Sequence, residues 1–222
     1  MSVKVITVGE KILGANEDKA KENKKRLDRY GILTINIMSS PGAGKTSLIL
    51  NTIKHMSKKT RIAVIEGDVA SSVDADKVNA VGIPVVQINT AGGCHLDAFM
   101  VADALDSLPL DKVDLLFIEN VGNLICPNNY LLGEDIRLMI ASMPEGDDKP
   151  LKYPAMFADT DVVILNKVDL QPYLDFNEKS FRKVVVGLNP DVTILPVSCK
   201  SGAGMKDWLD WLETALKKKQ NK

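Results

Sequence analysis

The sequence predicts an α/β fold in which a mostly parallel sheet carries helices on both faces, and three observations lead there. Short β-branched or aliphatic runs recur along the chain, helix-length segments lie between most of them, and a glycine-rich loop separates the first run from the helix that follows it. The runs fall at residues 34–38, 61–65, 85–88, 115–118, 162–165 and 193–197, and the helical segments at about 45–58, 72–81, 95–107, 177–187 and 204–219. Strand alternating with helix is the pattern of a parallel sheet buried on both sides. Residues 10–30 are rich in Lys, Glu, Asp and Asn, with sparse apolar positions at Ile12, Leu13, Ala20, Leu27 and Tyr30, which predicts a solvated helix leaning on the domain. Residues 1–31 are therefore read as an N-terminal helical extension and 32–222 as the body of the same domain. Pro144, Asp147, Asp148, Pro150 and Pro154 interrupt the rhythm and predict an irregular surface excursion before the strand at 162–165.

With 222 residues, 45% of them hydrophobic, one large core is the default. Lys and Arg total 28 against 29 acidic residues, and a net charge of -1 gives no electrostatic reason to expect DNA, RNA or an anionic membrane as partner. No stretch reaches the roughly 18 apolar residues of a membrane span, and the first ten residues lack the pattern of a secretion signal. The expectation is a cytoplasmic protein. Three cysteines in a reducing compartment point away from disulfides and toward metal ligation or plain burial.

The loop after the first strand reads Ser39-Ser40-Pro41-Gly42-Ala43-Gly44-Lys45-Thr46. It is a Walker A loop except that Ser39 stands where the pattern opens with Gly, and it makes the predicted class a P-loop nucleotide triphosphatase. Gly42 and Gly44 let the backbone turn so that N–H groups from Gly42, Ala43, Gly44 and onward to Ser47 face the phosphates at a helix N-terminus. Lys45 is expected to reach the β- and γ-phosphates, and Thr46 to offer its hydroxyl to Mg²⁺.

A later strand ends in Asn166-Lys167-Val168-Asp169, the N-K-x-D pattern. Guanine presents adjacent N1–H and N2–H₂ donors that one carboxylate, Asp169, accepts together, whereas adenine leaves that carboxylate desolvated and unpaired. Asn166 is expected to hold the base-binding loops and the stem of Lys167 to cover one face of the base. Ser198-Cys199-Lys200 resembles the S-A-K loop of G proteins, with Cys199 in place of Ala. The reading is a GTP-hydrolysing domain over residues 32–222.

Asp68 and Glu119 stand at strand tips that should face the γ-phosphate, where carboxylates bind Mg²⁺ directly or through water and orient the attacking water. Together with Lys45 they are the catalytic candidates. Glu119-Asn120-Val121-Gly122 resembles a D-x-x-G switch with Glu for Asp, so that Gly122 would donate its N–H to the γ-phosphate. No Gln or Arg announces itself as a water-positioning or charge-stabilising group, which predicts slow intrinsic turnover.

Cys94 and His95 follow Gly92-Gly93 after the strand at 85–88, and Cys126-Pro127 follows the Glu119 switch. An S, N, S donor set suits Zn²⁺ or Ni²⁺, with an open fourth position that water, a cargo protein or a second subunit could fill. Two buried cysteines and an ordinary helix-start His would look the same in sequence. Cys126 lies within about 25 Å of extended chain from Glu119, close enough for the nucleotide to influence it.

Four stretches carry a resemblance to a known family: Ser40 to Thr46, Gly93 to Ala98, Glu119 to Pro127, and Asp148-Lys149-Pro150-Leu151-Lys152-Tyr153-Pro154. Together they resemble the HypB nickel-inserting GTPases of hydrogenase maturation, over nearly everything from Ile32 to the C-terminal helix. The resemblance implies a GTP-promoted homodimer that uses GTP and Mg²⁺, with Cys94, His95 and Cys126 binding Zn²⁺ or Ni²⁺ at the subunit interface. It further implies a HypA-type metallochaperone and a nickel-iron hydrogenase large-subunit precursor as partners. Neither a His-rich storage stretch nor an N-terminal Cys-x-x-Cys motif occurs in this sequence, so the GTP-gated site must carry any nickel handling. Two alternatives stand beside this reading. One is a GTPase with a purely structural zinc-bridged dimer; the other is a related GTPase of urease or cobalamin-enzyme maturation, although the urease type has contiguous Cys, Pro and His.

Overall fold

A computed structural model describes residues 8–69 and 73–221. Its aliphatic runs form seven strands: β1 (Leu33–Ser39), β2 (Ile62–Asp68), β3 (Val85–Asn89), β4 (Leu115–Glu119), β5 (Ile136–Ser142), β6 (Val162–Asn166) and β7 (Thr193–Pro196). They pair in parallel in the order β3-β2-β4-β1-β5-β6-β7. β5 was not among the predicted strands. Its run Ile-Arg-Leu-Met-Ile-Ala-Ser is not β-branched throughout and is broken by Arg137, yet it lies between β1 and β6 with Leu138, Met139 and Ile140 buried.

Alternation along β1 divides the core. Ile35 and Ile37 face α2 (Lys45–Met56), α3 (Val73–Asn79) and α8 (Met205–Gln220), where the buried indole of Trp208 donates to Thr52 Oγ1 at 2.9 Å. The opposite face is covered by α1 (Val8–Arg29) and α4 (Ala98–Asp106) on one flank and by α6 (Pro154–Ala158) and α7 (Glu178–Leu188) on the other. Helix α1 is bound more tightly than its polar composition suggests. Leu27 is fully buried, Asn16 accepts from the Ala98 N–H at 2.8 Å, and Asn23 donates to the carbonyls of Ala98 and Leu132.

The proline-rich excursion is helical in short pieces. A 3-10 turn (Met143–Glu145), α5 (Lys149–Lys152) and α6 each carry a proline in the first turn, where its missing N–H costs nothing and its fixed φ suits the helix. The β4-to-β5 crossover, residues 120–135, carries no α-helix and only the 3-10 turn Cys126–Asn129. No helix among the described residues is long and apolar enough to cross a membrane. Because β1 is central and the strand order reverses around it, its C-terminal end opens onto the crevice where open parallel sheets bind ligands.

Candidate functional site

The phosphate loop leaves the end of β1 with Gly42 at φ +75° and Gly44 at φ +110°, left-handed conformations that L side chains resist. A Cβ on Gly44 would also meet Asn166 Nδ2 at 2.3 Å, so the loop is locked against the end of β6. Asn166 donates to the Ala43 carbonyl at 2.9 Å, while its Oδ1 accepts from the N–H groups of Lys167 at 2.8 Å and Cys199 at 3.3 Å. One amide therefore ties together the phosphate loop, the N-K-x-D segment and the Ser198-Cys199-Lys200 loop. Lys167 has φ +63° and donates through Nζ to the Gly42 carbonyl at 2.7 Å.

Asp169 Oδ1 accepts from Ser198 Oγ at 2.6 Å, and Ser198 Oγ in turn accepts from the Ser201 N–H. Asp169 lines a cleft of about 420 Å³ together with Gly42, Gly44, Ser47, Cys199 and Lys200. Burial pushes the Cys199 thiol up to about 11, so at neutral pH it is an uncharged wall of the cleft.

On the other side of the loop, Lys45 Nζ lies 3.7 Å from Glu119 Oε1 and donates to Ser39 Oγ at 3.4 Å. The residue that departs from the Walker pattern thus contributes a hydroxyl to the lysine. Thr46 Oγ1 donates to Glu119 Oε1 at 3.0 Å. Gly122 packs on Pro41, where a Cβ would lie 3.0 Å from the proline backbone and ring, so that any side chain there would press the phosphate loop. Asp68 ends β2 and is half-buried.

Glu66, absent from the sequence-based candidates, is the residue the geometry adds. It pairs in register with Glu119 across β2 and β4, both carboxyls are buried, and one oxygen of each (Glu66 Oε1, Glu119 Oε2) has no hydrogen-bond partner. Burial and the neighbouring Glu119 charge push the Glu66 carboxyl up to about 10, and burial raises Glu119 against the opposing pull of Lys45. With the Thr46 hydroxyl, these oxygens form an all-oxygen donor set of the kind Mg²⁺ prefers.

Glu66 must take up a proton to fold at neutral pH. Between its ordinary 4.5 and about 10 the folded state holds more protons than the unfolded, so stability falls as pH rises through that window. Glu66→Gln removes the cost. It is expected to raise the melting temperature of the nucleotide-free protein by roughly 7–14 °C at pH 7, from about 3 kcal/mol at about 2–4 °C per kcal/mol, shrinking toward zero near pH 4.5. Calorimetry across that range checks it; a pH-independent change would show that Glu66 does not hold the proton.

The third cluster joins two loops distant in sequence. Cys94, His95 and Cys126 are each half-buried, and their donor atoms all lie within 4.8 Å of one another, with Cys94 Sγ 3.6 Å from His95 Nδ1. Ligands on a tetrahedral zinc stand about 3.8 Å apart, so a small contraction would seat the ion. The backbone bend that brings neighbouring Cys94 and His95 to one side comes from Ala91 at φ +51° and Gly92 at φ +97°, with Thr90 Oγ1 donating to the Gly93 carbonyl at 2.7 Å. His95 stacks on Tyr130 at 3.8 Å between centroids, and burial lowers its pKa, which keeps a lone pair available at neutral pH. The Cys126 thiol beside it raises Cys94, so metal binding must release protons.

This cluster is connected to the phosphate end. Asn120, next to Glu119, accepts through Oδ1 from the Leu96 N–H at 3.1 Å, and Asn123 donates to the Cys94 carbonyl at 3.3 Å. Leu96 also lies against Gly67, between Glu66 and Asp68.

An all-parallel sheet, with a phosphate loop at the end of β1 and an N-K-x-D segment at the end of β6 two strands away, defines a P-loop nucleotide-binding protein, and residues 33–196 match the CobW/HypB/UreG nucleotide-binding domain. The chain belongs to the HypB family of hydrogenase maturation factors. It is 47% identical over 210 residues to hydrogenase maturation factor HypB of Azotobacter vinelandii, covering 95% of this chain and 69% of that one. It is 39% identical over 225 residues to the hydrogenase/urease maturation factor HypB of Helicobacter pylori, covering 100% and 91%. The crystal structure of HypB from Helicobacter pylori in complex with nickel aligns with a TM-score of 0.88 at 38% identity, covering 92% of this chain and 96% of that one.

Proposed function

We propose that this protein is a GTP-hydrolysing metallochaperone that uses GTP-dependent dimerisation to bind and release nickel or zinc during nickel-iron hydrogenase maturation. The observation that carries the reading is the bond from Leu96 N–H to Asn120 Oδ1, which ties the residue beside His95 to the residue beside Glu119. A change at the γ-phosphate that moves Glu119 must therefore move the cluster or break that bond. Asp169 and the Ser198-Cys199-Lys200 loop select guanine, Lys45 steadies the β- and γ-phosphates, and Thr46, Asp68 and Glu119 hold Mg²⁺ and its waters, with Glu66 joining them on loss of its proton. When bound, Mg²⁺ offsets charge that develops on the phosphates. With no Gln or Arg in the phosphate loop or the Glu119 to Gly122 segment, turnover is slow and suits a switch.

Three donors leave one position open on a tetrahedral ion, which a second subunit completes or from which a HypA-type metallochaperone and the hydrogenase large-subunit precursor give and take metal. Linkage supplies the test. If GTP favours the dimer and the dimer holds metal better, zinc must strengthen dimerisation with a GTP analogue and Mg²⁺ by the same factor, about 1–3 kcal/mol. Sedimentation with and without zinc is expected to show that shift with the analogue and none with GDP. A zinc-dependent dimer of equal strength in both nucleotide states would instead indicate a structural staple.

A further inference from the structure

The β4-to-β5 crossover rests on a buried polar chain where the rest of that sheet face has an apolar core. On β1, Asn36 stands in register with Arg137 of β5 and Ile118 of β4, so all three side chains share one face. Asn36 is fully buried and bonded on both sides: its Oδ1 accepts from Asn120 Nδ2 at 3.2 Å, and its Nδ2 donates to Glu134 Oε1 at 3.1 Å. From Asn120 the chain runs to the Leu96 N–H, beside His95. From Glu134 an ion pair at 3.7 Å, in which Arg137 Nε makes no hydrogen bond, leads to the Arg137 Nη2, which donates to the Asn128 carbonyl at 2.8 Å in the turn that carries Cys126. Both arms therefore start at one amide, three residues before the Ser39 that receives the Lys45 ammonium.

Apolar contacts are non-directional and tolerate small slides, whereas hydrogen bonds fix distance and angle, and the bonds Asn36 makes on both sides hold what they join. The geometry points to Asn36 as the positioning residue that holds the Cys94-His95 loop and the Cys126 turn at a common spacing and ties that spacing to the strand feeding the phosphate loop. Asn36 touches neither metal nor nucleotide. The inference rests on the nucleotide-gated reading above, and it adds where the gating is held.

Asn36→Asp keeps the acceptor for Asn120 but loses the donor and sets a carboxylate against Glu134. The double variant Asn36→Asp with Glu134→Gln restores a bond of reversed polarity, because the new amide at 134 can donate to the new carboxylate at 36. Zinc affinity is measured for both variants and the unaltered protein, each with GDP and with a non-hydrolysable GTP analogue and Mg²⁺. In the single variant the analogue-to-GDP ratio of zinc affinities is expected to fall to within about twofold of one. Analogue affinity is expected to stay within about threefold, and the double variant, which restores the 36–134 bond but not the charge facing Arg137, should recover part of the ratio.

Buried partners of metal-binding loops typically change affinity 10–100-fold when lost, which sets the size of the effect. An unchanged ratio in a destabilised single variant would overturn the proposal and leave Asn36 a scaffold residue. A ratio near one in the unaltered protein would instead remove the gated reading itself. Should Asn36→Asp not fold, Glu134→Gln alone, which weakens the same joint without adding charge, is held to the same criterion. Physical adjacency is only the premise for coupling, and the ratio measures coupling itself.

Discussion

Asp169→Asn is expected to weaken GTP binding by roughly 10³–10⁴-fold and to create affinity for xanthosine triphosphate. Asp169 lines the cleft half-buried, with Oδ1 already accepting from Ser198 Oγ. Its carboxylate presents two acceptors to the adjacent N1–H and N2–H₂ of guanine. An amide presents one acceptor and one donor, so one of guanine's donors meets another donor in a desolvated site, at several kcal/mol. Xanthine carries N1–H beside a carbonyl oxygen and matches the amide. The amide oxygen can still accept from Ser198, so the fold is unaffected. Competition against a fluorescent GTP analogue reads both changes, and a loss below tenfold, or no gain for xanthosine triphosphate, would show that Asp169 does not read the base.

Cys126→Ala is expected to lower zinc affinity by about 10²–10³-fold, since a full four-ligand zinc site is worth about 10–16 kcal/mol and each ligand carries a share. The remaining pair, Cys94 and His95, are neighbours in one loop that cannot enclose an ion alone. GTP affinity measured without zinc should not change, because Cys126 lies with Cys94 and His95 and does not line the cleft beside Asp169. Chelator competition measures the loss; an unchanged zinc affinity would place the bound metal elsewhere.

What could be read from the sequence was what the chain writes contiguously. The phosphate loop, the Asn166 to Asp169 segment and the Glu119 switch each name their chemistry within a few residues, and hydrophobic periodicity located six of the seven strands. β5 escaped because Arg137 interrupts its run; an arginine reads as solvated until its bond to the Asn128 carbonyl and its ion pair with Glu134 are known to hold it half-buried. Glu66 escaped because its significance lies in a register pairing with Glu119, 53 positions away on another strand. The cysteines posed the same difficulty. The donor types at Cys94, His95 and Cys126 were legible, but whether they meet depends on how the crossover packs, and the sequence left plain burial open. Asn36, Asn120 and Glu134 carry no motif among them and acquire meaning only through the contacts that join them.

The central claim is that the nucleotide decides how well Cys94, His95 and Cys126 hold metal. Titrating the purified protein with zinc and with nickel, first with GDP and then with a non-hydrolysable GTP analogue and Mg²⁺, tests it most directly. A difference of about 5- to 150-fold in metal affinity between the two states is the expected result. Identical affinities in both states would contradict it and leave a guanine-nucleotide hydrolase whose thiols and imidazole answer to nothing at the phosphate loop.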